Sequence, residues 1–154
     1  MTARHAIAFL AFATMPLHAA TYPVGPTRTH HTLGALFAVV DLGPDDVVEV
    51  DGDVTYPGGV VVPEEASGSA GHPVLIRGLR VNGHRPVISG STNTVEFRQS
   101  DHLVFEGFDV TGGTARCILQ GAHDVTVRDS VIHHCAAHGI LGTDQFSGSF
   151  TLEY

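Results

Sequence analysis

Apolar positions in the second half of the chain return in a fixed eight-residue frame. Leu103-Val104-Phe105-Glu106-Gly107-Phe108-Asp109-Val110 overlays Val125-Thr126-Val127-Arg128-Asp129-Ser130-Val131-Ile132 without a gap, at an offset of 22. The first, third and last places of the frame are apolar, and the first two of these lie two apart, the period of a strand with one buried face. Its fourth and fifth places hold turn-type residues, Glu106-Gly107 and Arg128-Asp129. The preceding segments Ser100-Asp101-His102 and Ala122-His123-Asp124 correspond as well. The frame occurs 29 residues earlier at Val74-Leu75-Ile76-Arg77-Gly78-Leu79-Arg80-Val81 and begins again 25 residues later at Phe150-Thr151-Leu152-Glu153-Tyr154. Between these units lie Val95-Glu96-Phe97, Cys117-Ile118-Leu119 and Gly139-Ile140-Leu141, themselves 22 apart.

Units of this length, each with about three short strands and no helix signal, predict an all-β solenoid whose coils stack by parallel pairing. The Leu/Asn frame of leucine-rich repeats and the Gly-Gly-x-Gly-x-Asp of calcium-binding nonapeptide repeats are absent. A β-sandwich has strands at 8–12-residue spacing, but it does not explain the return of one frame. The fourth place holds Arg77, Glu106, Arg128 and Glu153 in successive units. With rungs about 4.8 Å apart, stacking predicts one outward column of alternating sign. That column discriminates against a slip by one unit, which would oppose like charges.

The front of the chain reads differently. Leu33, Leu36, Phe37 and Val40 fall on one helical face, Thr32 can cap that helix, and Gly43-Pro44 ends it. This predicts a helix over residues 32–43, serving as a lid for the first layer of the stack. Asp46-Val47-Val48-Glu49-Val50 then reads as the first strand and Val60-Val61-Val62 as another, while residues 64–73 and 82–86 read as mobile loops. The last frame breaks off at Tyr154, which suggests the amino-terminal portion of a longer stack.

Composition narrows the function classes. The 154 residues carry a formal charge of −8, and their eight basic residues are all Arg. Nucleic-acid binders need a basic surface, so that class is set aside. Residues 1–20 have the layout of a secretory signal: Arg4, an apolar run from Ala6 to Leu17, then Ala19 and Ala20. The run is about a dozen residues, short of the roughly 20 that span a bilayer. We therefore expect a secreted or periplasmic chain, with residues 21–45 as an N-terminal segment carrying the helix and 46–154 as coils. Export places Cys117 and Cys135 in an oxidising compartment, where a disulfide and two buried thiols both remain open.

The glycine-rich turns, the x-Val-x-Val-x-Asp strands, His138-Gly139-Ile140 and Pro73-Val74-Leu75-Ile76-Arg77-Gly78 resemble right-handed parallel β-helix proteins of the pectin-lyase-like superfold, over roughly residues 33–154. The resemblance implies polysaccharide as partner, with lyases, hydrolases and catalytically silent surface proteins among the members. It also implies a Lys or Arg base, and Ca²⁺ or another cation to neutralise a sugar carboxylate in the uronate lyases. With no Lys, the base candidates are Arg80, Arg98 and Arg116. Paired-carboxylate hydrolysis needs acids about 5–9.5 Å apart, and Asp101, Asp109, Asp124 and Asp129 are the acids that stacking could bring together. Gly142-Thr143-Asp144-Gln145 resembles the acid-bearing turns of galacturonan hydrolases, without their second aspartate. The catalytic candidates are thus Asp109, Arg116 and Asp144.

His133-His134-Cys135-Ala136-Ala137-His138 is the densest group of metal-capable side chains, and imidazole suits Zn²⁺ or Cu ions. Adjacent strand residues point to opposite faces, so His133 and His134 share one ion only if a turn intervenes. His133, His134 and His138 are the metal candidates. Three readings follow: a polysaccharide-contacting β-helix, a non-catalytic structural or adhesive surface protein, and a periplasmic metal-binding protein.

Overall fold

A computed structural model describes residues 19–143 and 145–154. Most of the expected signal, residues 1–18, and the candidate Asp144 lie outside the described residues. Among the described residues, fourteen strands and one short helix occur in the order β1 (Thr21–Val24), α1 (Leu33–Phe37), β2 (Val47–Val50), β3 (Thr55–Pro57), β4 (Val60–Val62), β5 (Val74–Gly78), β6 (Val87–Ser89) and β7 (Asn93–Arg98). They continue with β8 (Leu103–Glu106), β9 (Asp109–Thr111), β10 (Arg116–Gly121), β11 (Val125–Arg128), β12 (Val131–His133), β13 (His138–Gly142) and β14 (Phe150–Glu153).

Every third strand stacks on its predecessor. The first sheet runs β1-β2-β5-β8-β11-β14, the second β3-β6-β9-β12 and the third β4-β7-β10-β13. All neighbours pair in parallel. The fold is therefore a parallel β-solenoid. Val74, Leu103, Val125 and Phe150 lie one above another as register partners. So do Arg77, Glu106, Arg128 and Glu153, and Glu49 extends that column one rung further. The expected ladder resolves into pairs. Arg77 bonds to Glu49, and Arg128 Nε donates to Glu106 Oε2 at 2.6 Å with Glu153 at 3.9 Å.

Alternation along each strand fills the interior. Val48, Ile76, Phe105 and Val127 point inward from the first sheet, Ile88 and Val110 from the second, and Val95, Phe97 and Ile118 from the third. Phe105 lies between Phe108, stacked at 4.2 Å, and Phe97, edge-on at 5.6 Å. The repeated turns have a backbone cause. Gly107 sits at φ +81° with Gly78 O 2.6 Å from where a Cβ would stand, and Asp129 takes the same place one coil on at φ +41°. His102 and Asp124, which precede β8 and β11, are left-handed at +53° and +52°. Asp and His tolerate that region better than most residues.

Two features of the front differ from the sequence expectation. The first coil starts at β1, ahead of the helix, because Thr21–Val24 pairs with β2. Pro23 is accommodated because β1 is an edge strand, where a missing N–H breaks no ladder. The helix is also shorter than residues 32–43. Thr32 Oγ1 caps it by accepting from Ala35 N at 3.1 Å, and Leu33 and Leu36 are buried. It ends at Phe37, before β-branched Val39-Val40, and Leu42 instead bridges to Ala66. Within the expected loop 82–86, residues 81–84 close a tight hairpin, with Val81 and His84 exchanging backbone bonds and Asn82 donating to Asp53 at 2.9 Å.

Candidate functional site

The solenoid separates the candidates onto two walls. The outer face of the third sheet carries Val61, Glu96, Leu119 and Leu141 as register partners. At the start of the same strands lie Asn93, Arg116 and His138, also in register. Side-chain bonds join the two columns. Arg116 Nη1 donates to Asn93 Oδ1 at 3.3 Å, Asn93 Nδ2 to Glu96 Oε2 at 3.3 Å, and Arg98 Nε to Glu96 Oε1 at 2.8 Å. Among the described residues, Arg116 is the guanidinium that meets no carboxylate within 4 Å.

Glu96 and Arg98 of this network line a cleft of about 560 Å³. Leu119 and Phe146 form its apolar part, and Glu96, Arg98, Gln99, Thr143 and Gln145 supply polar groups. The cleft exists because the connection from β13 to β14 is longer than the three-residue turn between β10 and β11, and Phe146 from it lies against the wall. Phe97, Gln99 and Phe146 carry no sequence signal of function. Two residues flanking Asp144, Thr143 and Gln145, line this cleft.

Asp109, His133 and His134 lie on the second wall. Asp109 begins β9 and His133 ends β12, so a diagonal across neighbouring rungs brings them together: His133 Nε2 and Asp109 Oδ1 are 2.7 Å apart. The strand ends at His133, and His134 turns back in the left-handed region at φ +51°. The intervening turn needed for the two imidazoles to meet is therefore present, and their Nδ1 atoms are in direct contact with ring centres 4.6 Å apart. His138 stands in register with Arg116 on the third wall. Cys117 and Cys135 form a disulfide with Cα atoms 5.4 Å apart. It ties β10 to the connection that carries His134, one coil on.

A second cleft, of about 360 Å³, runs beside Asp109 under the 81–84 hairpin, with Arg80, Arg85, His84 and Asp53 in its lining. Arg80 and Arg85 both face Asp129, Arg85 in direct contact and Arg80 at 3.9 Å. Asp101 accepts from His123 N at 2.7 Å and Asp124 stands 3.2 Å from His102, so both serve the turns between coils. Among the described residues, no three His, Cys, Asp or Glu side chains are arranged to hold a metal ion, so the donor set does not fit the Ca²⁺ that the resemblance implies. No helix among the described residues is long and apolar enough to cross a membrane. Comparison with protein-family models, with curated proteins and with solved structures gives no match.

Proposed function

We propose that this is an exported β-helix protein whose third wall contacts polysaccharide, as a lyase, a hydrolase or a catalytically silent relative. The observation that carries this reading is the 560 Å³ cleft beside the Arg116–Asn93–Glu96–Arg98 network. Saccharide rings present apolar faces and hydroxyl edges. Leu119 and Phe146 supply the apolar surface, while Glu96, Arg98, Gln99 and Gln145 supply donors and acceptors around it. The wall is built from parallel rungs of similar backbone, which set side chains in flat columns, a shape matched to a linear saccharide. Arg98 brings a guanidinium into the lining, a donor suited to the carboxylates of acidic saccharides.

The test is calorimetric titration of the full chain with soluble uronate and neutral polysaccharides, alongside absorbance near 235 nm for β-elimination products. Phe146→Ala and Arg98→Gln should each weaken binding on the order of tenfold, while Arg28→Gln, remote on the first coil, should not. Absorbance growth identifies a lyase, reducing ends without it a hydrolase, and binding alone a silent relative. No binding to any saccharide overturns the reading and leaves the structural or adhesive one.

A further inference from the structure

The second wall holds a group of side chains whose bonding is ordered in one direction. Asp109 is half-buried and accepts from His133 Nε2 at 2.7 Å, which assigns the proton of neutral His133 to Nε2. His133 Nδ1 is then an acceptor. It meets His134 Nδ1 directly, with Thr111 Oγ1 at 3.5 Å on its other side. Two bare nitrogens would repel, so the proton of His134 lies on its Nδ1. His134 Nε2 is left with a lone pair, on an exposed residue. The chain of bonds therefore runs Asp109, His133, His134 and ends at one free nitrogen.

Three independent features hold it there. Asp109 and His133 come from neighbouring coils of a rigid parallel sheet. His134 occupies a left-handed backbone conformation, which turns its ring against that of His133. The disulfide to Cys117 pins Cys135, the next residue.

We propose that His134 is an activated imidazole that cleaves acyl esters, with Asp109 and His133 as positioning residues. Its Nε2 attacks the acyl carbon, the N–C bond forms, and the ester C–O bond breaks to release the alcohol as its oxyanion, which takes its proton from water. As Nε2 becomes acylated the ring gains positive charge, and its Nδ1 proton moves toward His133, whose own charge is offset by Asp109. The hydroxide left by that proton transfer adds to the acyl carbon, the proton returns from His133 to His134 Nδ1, and the N–C bond breaks, releasing the carboxylic acid and restoring both histidines. Ester and water enter; acid and alcohol leave. This activity stands on the second wall and is independent of the polysaccharide reading of the third.

The experiment follows 4-nitrophenyl acetate hydrolysis by the full chain, together with diethyl pyrocarbonate modification mapped residue by residue by mass spectrometry. His134 should be modified on the order of tenfold faster than exposed His138. His134→Gln should abolish the hydrolysis above that of the remaining histidines. Asp109→Asn and His133→Gln should each slow modification at residue 134 on the order of tenfold, while Asp109→Glu retains most of it. All four substitutions are on the outer face, and an unchanged circular dichroism spectrum confirms the fold. Modification of His134 at the rate of His138, or at a rate indifferent to Asp109→Asn, overturns the proposal.

Discussion

Arg128 and Glu106 are register partners on neighbouring coils, and the guanidinium Nε donates to the carboxylate at 2.6 Å. Their pairing links the sequence frame to the stack, because both residues occupy its fourth place. Exposed pairs of this kind contribute about 0.2–1 kcal/mol. A double-mutant cycle with Arg128→Ala and Glu106→Ala, read by urea denaturation, should give a coupling of about 0.5 kcal/mol that falls at high salt. The charge-swapped double variant should recover part of it. Zero coupling at low salt would mean that the two coils do not stack in this register.

Phe105 occupies the middle of the core, between Phe97 and Phe108. Removing a ring from such a site leaves a cavity that rigid coils cannot collapse around. Phe105→Ala should lower unfolding free energy by about 3–5 kcal/mol, measured by the same denaturation. Exposed Val39→Ala should change it by less than about 0.5 kcal/mol.

The disulfide between Cys117 and Cys135 closes a short loop across two coils. In the chain-entropy account a loop of this length contributes about 3 kcal/mol. Reduction should shift the denaturation midpoint downward accordingly, and mass spectrometry of the alkylated chain should show no free thiol before reduction. An unchanged midpoint would place the stabilisation elsewhere.

Tyr56 is buried, and its hydroxyl donates to Asp51 O at 2.9 Å. Burial, reinforced by the Asp51 charge, pushes its phenol from 10.0 up to about 12. The folded state thus holds this proton more tightly than the unfolded one. Its contribution to stability is complete below pH 10 and declines as pH rises from 10 towards 12. Absorbance titration at 295 nm should show phenol ionisation extending well above pH 10, and Tyr56→Phe should remove part of that late change. Tyr22 is also raised, mainly by burial and then by Asp46. Ionisation complete near pH 10, or a late part unchanged by Tyr56→Phe, would contradict the packing around β3.

Much of the stack was legible because the frame is periodic. The offset of 22 between Leu103 and Val125 is the length of one coil, and the charges at its fourth place identify the outward face. Irregular features were harder to read. β1 is four residues long and contains Pro23, so neither length nor propensity marks it as a strand, and only its pairing to β2 defines it. The helical face at Leu33, Leu36, Phe37 and Val40 continued on paper past Phe37, but a tertiary bridge takes Leu42. The histidines show the same limit: adjacency placed His133 and His134 on opposite faces, and only the backbone turn at His134 brings their rings together. The Arg116–Asn93–Glu96–Arg98 network joins three residues of β7 to Arg116 one coil on, and no sequence motif links that strand to Arg116.

Parallel stacking of the coils underlies every other statement about this molecule. Trans-hydrogen-bond couplings in an isotope-labelled sample report individual donor–acceptor pairs. The account predicts couplings from Leu103 N to the Asp124 carbonyl and from Val125 N to the Ser149 carbonyl, each donor reaching the residue just before the register partner of the next coil. Reciprocal pairs, in which two facing residues exchange both bonds as antiparallel strands do, would contradict it.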